Sequence, residues 1–115
     1  MIILETISEK LSLKCKCCWE NLNREVTGGY AGDLLSDVMA NSAAGNVWVT
    51  RQVHQNIVAV AALKEHAAII VVQGASPEKE TLNKATKEGI PILVADLSEF
   101  EVVGRLYQLL HPSQG

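Results

Sequence analysis

Ala67-Ala68-Ile69-Ile70-Val71-Val72-Gln73-Gly74-Ala75-Ser76-Pro77 is the stretch that decides the fold. Its apolar run is rich in β-branched residues, does not alternate with polar ones, and ends at Gln73-Gly74. A run of that kind fits a strand buried on both faces, as in a parallel sheet. Pro91-Ile92-Leu93-Val94 repeats the pattern, entered through Gly89 and stopped by Asp96. Working outward, strands are expected near Val47–Val49, Ala68–Val72 and Pro91–Val94. Each is followed by a polar loop: Thr50–Asn56, Gln73–Pro77 and Asp96–Ser98. Helix signals lie between them. Ser76 can cap a helix with Pro77 at its first position. Ser98 and Glu101 have capping-box spacing. Gly89 follows Glu78–Glu88, where a left-handed residue is expected. Strands alternating with helices predict an α/β fold, a single three-layer-type domain over residues 1–115 with a mainly parallel sheet.

In such sheets the loops emerge together at the carboxyl ends of the strands. Helix N-termini and free backbone N–H groups converge there, and ligands bind there. The expected lining is Thr50, Gln52, His54, Asn56, Gly74, Ser76, Asp96 and Ser98, with Gly28 and Gly29 as a fourth wall. The competing reading is that these groups cap helices and face water.

Toward the N-terminus, Glu5–Leu13 reads as a short helix with Thr6 and Glu9 at capping-box spacing. Leu13–Cys18 reads as a strand. Alternation would place Cys15 and Cys17 on one face and Cys18 on the other. Three clustered cysteines are no disulfide framework, and no second pair completes a zinc set, so reduced, packed thiols are expected. Trp19 is expected to cover the core. Gly28, Gly29 and Gly32 permit positive φ and a phosphate-cradling loop, but no Gly-Lys-Ser/Thr follows, so it is not a Walker A loop. Asp33 and Asp37, four apart, could hold a divalent cation on a helix face. Alternatively, Asp33 begins a Leu34–Ala40 helix as its cap or first-turn acid.

Ile57-Val58-Ala59-Val60-Ala61-Ala62-Leu63 is apolar on every side and needs cover on more than one face. The expected cover is a second copy of the chain, giving a homodimer; the alternative is that Gly28–Met39 folds over this helix within one chain. Glu78–Glu88 should face solvent, with Glu80 and Lys84 paired. Ser98–Leu110 is amphipathic through Phe100, Val103, Leu106, Tyr107 and Leu110, and 111–115 should fray.

The 115 residues carry a net charge of −3 and only five aromatics, without a basic run. Nucleic-acid binding is therefore not expected. Neither a membrane span nor a secretion signal is read in the sequence, and a cytoplasmic location is expected. No cofactor is indicated.

Val26–Leu35, Trp48-Val49-Thr50, His54–Ala61 and Phe100–Leu106 together resemble the DRTGG-domain family, in an order that covers nearly the whole chain. The name-giving motif is altered here to Asn23-Arg24-Glu25-Val26-Thr27-Gly28-Gly29. Members of that family are attached to CBS domains in regulated pyrophosphatases and to phosphotransacetylase-type enzymes. Similar folds occur in the N-terminal domain of HPr kinase/phosphorylase. The resemblance implies an α/β accessory domain, commonly dimeric, without chemistry of its own.

Two functions follow. One is a regulatory, ligand-sensing module that dimerises and acts on a partner enzyme or a small ligand, such as a nucleotide or phosphorylated compound. The other is a small enzyme with His54 as acid/base beside Asp33, Asp37 or Asp96. The missing nucleophile–base constellation favours the module.

Overall fold

In the computed structural model, residues 1–112 are described; 113–115, the rest of the expected frayed tail, lie outside them. The elements run β1 (Ile2–Ile3), α1 (Leu4–Lys10), β2 (Lys14–Cys17), a 3-10 turn (Trp19–Asn21), β3 (Glu25–Val26) and β4 (Gly28–Ala31). There follow α2 (Leu35–Asn41), β5 (Asn46–Thr50), α3 (Asn56–Leu63), β6 (Ala68–Val71), α4 (Lys79–Glu88), β7 (Ile92–Val94) and α5 (Glu99–Leu110). The main sheet has the order β2-β7-β6-β5-β4. Its last four strands are parallel, and β2 runs antiparallel beside β7. A separate ladder joins β1 to β3.

From β4 to β7 each step moves one strand over in the same direction. Crossovers of one hand then stack their helices on one face. Val38 of α2, Ile57 and Val58 of α3 and Ala85 of α4 accordingly pack with Trp48, Ile69, Val71 and Ile92. The opposite face carries Leu4 and Ile7 of α1 and Val102 and Leu106 of α5, against Val47, Val49, Ile70 and Leu93. The central strands are apolar throughout because each side of them meets helices. This is the three-layer α/β arrangement expected from the apolar runs. No helix among the described residues is long and apolar enough to cross a membrane.

Several local expectations are corrected. Gly28–Ala31 is a strand, and Gly28, Gly29 and Gly32 do not have positive φ. Thr6 lies inside α1, so it does not cap it. Ser76 and Pro77 precede α4, whose N-cap position is Glu78. Ser98 does cap α5, its Oγ accepting from the Glu101 N–H at 3.3 Å, and Gly89 is left-handed with φ of 72°. Cys15 packs on the α1/α5 face, whereas Cys17 and Cys18 lie on the other. A register shift between Cys15 and Cys17 breaks the alternation, as a bulge does. Burial pushes the Cys18 thiol up to about 12 and the Cys15 thiol up as well, so both stay protonated at neutral pH. Trp19 is exposed and covers little. Glu80 and Lys84 make no ion pair within 4.0 Å among the described residues. Phe100 and Tyr107 point outward; Val102 and Leu106 fill the core instead.

The apolar α3 is explained within one chain. It packs between α2 and α4, and Val58 is 0% exposed while Leu63 is 70% exposed. The sheet and the two flanking helices cover Ile57, Val58, Val60 and Ala61, while Ala59 and Leu63 face outward.

Candidate functional site

The carboxyl end of the sheet is a rim of four loops tied to one another. After β4, Asp33 Oδ1 accepts from Thr50 Oγ1 at 2.7 Å and from the Arg51 N–H at 2.8 Å. Gln52 Nε2 donates to the Asp33 carbonyl at 3.1 Å. Asp33 therefore neither caps α2, whose N-cap position is Leu34, nor shares a cation site with Asp37. Asp37 instead accepts from the Tyr30 hydroxyl at 2.6 Å and from Asn41 at 2.9 Å. The β5 and β6 loops are joined by the Glu78 N–H and Thr81 Oγ1, which donate to the Val53 carbonyl at 3.2 and 2.6 Å. The His54–Glu78 pair, at 3.0 Å, flanks that junction on its solvent-exposed side. The β6 and β7 loops are joined by the Gln73 and Gly74 N–H groups, which donate to the Leu97 and Ala95 carbonyls. Gly74 has φ of 64°, which glycine adopts without strain, and a Cβ there would lie 3.5 Å from Asp96 Oδ1.

Of the sequence-predicted residues, Thr50, Gln52, His54, Asn56, Gly74, Ser76, Asp96 and Ser98 all lie on this rim or at the helix starts just beyond it. Thr50 is buried, Gln52 half-buried, and both are occupied by intramolecular hydrogen bonds. His54, Asn56, Gly74, Ser76, Asp96 and Ser98 are exposed. Gly28 and Gly29 are not on the rim. They pair with Asn46 and Val47 at the start of β5, on the opposite end of the sheet. His54 bonds Glu78 rather than Asp33, Asp37 or Asp96, so the acid/base pair of the enzyme reading is not assembled.

Three rim residues escaped the sequence reading: Asp33 as the tie, Arg51 and Glu99. Arg51 is exposed, and its side chain makes no ion pair within 4.0 Å among the described residues. Burial, then the nearby Asp33 carboxylate, raise the Glu99 pKa, with Arg51 opposing them. Position within the Thr50–Asn56 loop was the available signal for Arg51.

The amino end of the sheet differs. A cavity of about 460 Å³ opens there among Arg24, Glu25, Glu65, His66 and Glu88. His66 is 2% exposed and its Nε2 lies 2.8 Å from Ser42 Oγ, which itself donates to the Val38 carbonyl at 2.6 Å. With the hydroxyl proton committed to Val38, the bond to His66 uses an Nε2–H, and Nδ1 is left a buried acceptor without a partner. Charging this ring would bury a proton with no acceptor, and desolvation lowers its pKa to about 4. His66 is therefore a neutral packing group beside Trp48.

The strands of the parallel set never reverse order, so the crevice that opens at a reversal is missing among the described residues. A ligand at the carboxyl end would meet an open rim.

The chain matches no family model and no curated protein. Its fold resembles a solved structure of the CBS and DRTGG domains of the regulatory region of Clostridium perfringens pyrophosphatase, complexed with the activator diadenosine tetraphosphate. The TM-score is 0.70, with 17% identity over 92% of this chain. That match spans 46% of the other chain, about half its length. The fold is therefore DRTGG-like.

Proposed function

We propose that this protein is a ligand-sensing regulatory domain that binds a nucleotide or related phosphorylated compound at the carboxyl rim and passes the signal to a partner protein. The observation that carries the reading is the likeness in fold, over nearly the whole chain, to a regulatory region solved with a nucleotide activator. The rim chemistry supports it. Arg51 offers a free guanidinium for phosphate, helped by the starts of α3 and α5. Asp96 offers a carboxylate that can accept ribose hydroxyls, beside a glycine that leaves room for close approach. His54, Asn56 and Ser76 are exposed side chains that ordering around a ligand can recruit. The loops are tied through backbone and Asp33, so a ligand bridging them would alter their relative positions and so the surface a partner reads.

Thermal unfolding in the presence of diadenosine tetraphosphate, ATP, AMP and acetyl phosphate tests this. Binding to the native state at 100 times Kd adds about 2.7 kcal/mol, a rise of about 10 °C in a domain of this size. The rise should vanish in Arg51→Ala. Unchanged melting with every one of these compounds at millimolar concentration would contradict the reading.

A further inference from the structure

We propose that the outer edge of β4 docks an extended segment of a partner protein, which adds a strand to the sheet and seats one aliphatic side chain between β4 and α5. The main sheet ends at β4 on one side and at β2 on the other. The β2 edge is guarded, carrying the exposed Lys14 and Lys16 and a register shift. Such charges and irregularities discourage a further strand. The β4 edge has none of them. Gly28, Gly29, Tyr30 and Ala31 pair with β5 in unbroken register, and no lysine, proline or bulge interrupts them.

Pairing with β5 fixes which backbone groups point outward. The Gly32 N–H donates to the Val49 carbonyl at 3.1 Å. With a period of two, Gly28 and Tyr30 also turn toward β5, and Gly29 and Ala31 turn away. Both of these are exposed, and their N–H and C=O groups meet no backbone partner among the described residues. The same alternation aims positions 29 and 31 at α5, and a Cβ on Gly29 would lie 3.2 Å from Leu106. A cavity of about 150 Å³ opens there, lined by Val49, by Gly29 and Ala31 of β4 and by Val103, Tyr107 and Leu110 of α5. It is sized for one aliphatic side chain. An extended chain laid along β4 points alternate side chains toward it.

A second copy of this chain does not fit the site. The positions of its own β4 that face α5 are glycine and alanine, too small to fill the hollow. Tyr30 faces the other way, its hydroxyl donating to Asp37 at 2.6 Å. A second copy meeting this edge of four residues would also bury far less than the roughly 800 Å² per partner of a standard interface. An extended segment needs only the edge and the hollow: main-chain bonds supply affinity, and the pocket supplies selectivity. The edge is the partner-facing part of the regulatory domain proposed above and rests on that reading. Ala31 stands just before Asp33, which ties β4 to the Arg51 loop, so edge and rim share one strand.

Selection from a random heptapeptide library on phage, followed by NMR titration with the synthesised winner, tests it. No nucleotide is present, so failure here and failure of nucleotide binding are read separately. Enriched sequences should share a leucine, isoleucine or valine among residues of high strand propensity and bind with Kd below about 1 mM. Amide shifts should centre on Gly29, Tyr30 and Ala31, and methyl shifts on Val103 and Leu110. Ala31→Pro removes an outward N–H and leaves the β5 ladder intact, and Tyr107→Glu sets a charge at the mouth of the hollow. Each should weaken binding at least tenfold with circular dichroism unchanged. Leu63→Glu, exposed on the helix layer of the other face, should change nothing. A library that yields no binder, shifts centred elsewhere, or binding that survives both edge substitutions overturns the proposal. So does a protein that doubles its mass without peptide and shifts the same β4 amides, since a second copy would then hold the edge.

Discussion

The two ends of the sheet teach opposite lessons about polar residues. At the carboxyl end, polar side chains are plentiful, and Asp33, Thr50 and Gln52 spend their hydrogen bonds tying loops together. At the amino end there is a cavity, yet its buried histidine is held neutral by its surroundings. Residue type alone cannot separate a group that ties loops from one that waits for a ligand. The separation comes from which hydrogen bonds are already made.

The largest effect expected from this contrast belongs to His66. Its folded pKa, about 4, lies below the ordinary 6.5, so the unfolded chain takes up the proton first as the pH falls. Its contribution is whole above about pH 6.5 and is lost on the way down to pH 4, amounting to about 3 kcal/mol. Urea denaturation at pH 7.5 and 4.5 should show the loss, and His66→Phe should remove most of it. A wild-type curve no steeper than that of the variant would mean that the buried ring accepts a proton after all.

Next comes the tie at the rim. Asp33→Ala strips the acceptor from Thr50 Oγ1 and the Arg51 N–H. A charged acceptor with two partners predicts a cost of about 2 kcal/mol. Amide exchange should quicken at Arg51 and Gln52 while β6 and β7 stay protected. Uniform loosening of the whole sheet would show instead that Asp33 supports the core.

Removing the α5 cap should cost less. Ser98→Ala loses the bond to the Glu101 N–H, worth about 1 kcal/mol in chemical denaturation. The smallest change in stability is expected for His54→Ala. Its pair with Glu78 is solvent-exposed and worth about 0.5 kcal/mol or less. A drop in nucleotide affinity in that variant, with stability intact, would separate recognition from scaffolding at the rim; a large loss of stability would place His54 among the ties.

Much of the fold was legible because continuous apolar runs mark doubly covered strands. The expected strands at Val47–Val49, Ala68–Val72 and Pro91–Val94 are observed at Asn46–Thr50, Ala68–Val71 and Ile92–Val94. Ser98 and Gly89 announced helix ends through local chemistry that tertiary packing had no cause to override. The glycines at 28 and 29 misled. Glycine weakens a strand by itself, and β4 exists because β5 pairs with it along Gly28–Ala31, a contact that local sequence does not display. The α3 helix told of burial and left two covers open; α2, which begins within the Gly28–Met39 alternative, and α4 pack against it within one chain. In α5 the apolar positions were seen, but Phe100 and Tyr107 were assigned to the inner stripe that Val102 and Leu106 occupy. At the rim, grouping after parallel strands was legible from loop order, whereas the ties were not, because Asp33 meets Thr50 across 17 residues of chain.

Backbone amide NMR during titration with diadenosine tetraphosphate tests the central claim most directly. Saturating shift changes should concentrate at Arg51, Gln52, His54, Asn56, Gly74, Asp96 and Ser98. Changes centred on Arg24, Glu65, His66 and Glu88 would move the site to the amino-end cavity and contradict the account.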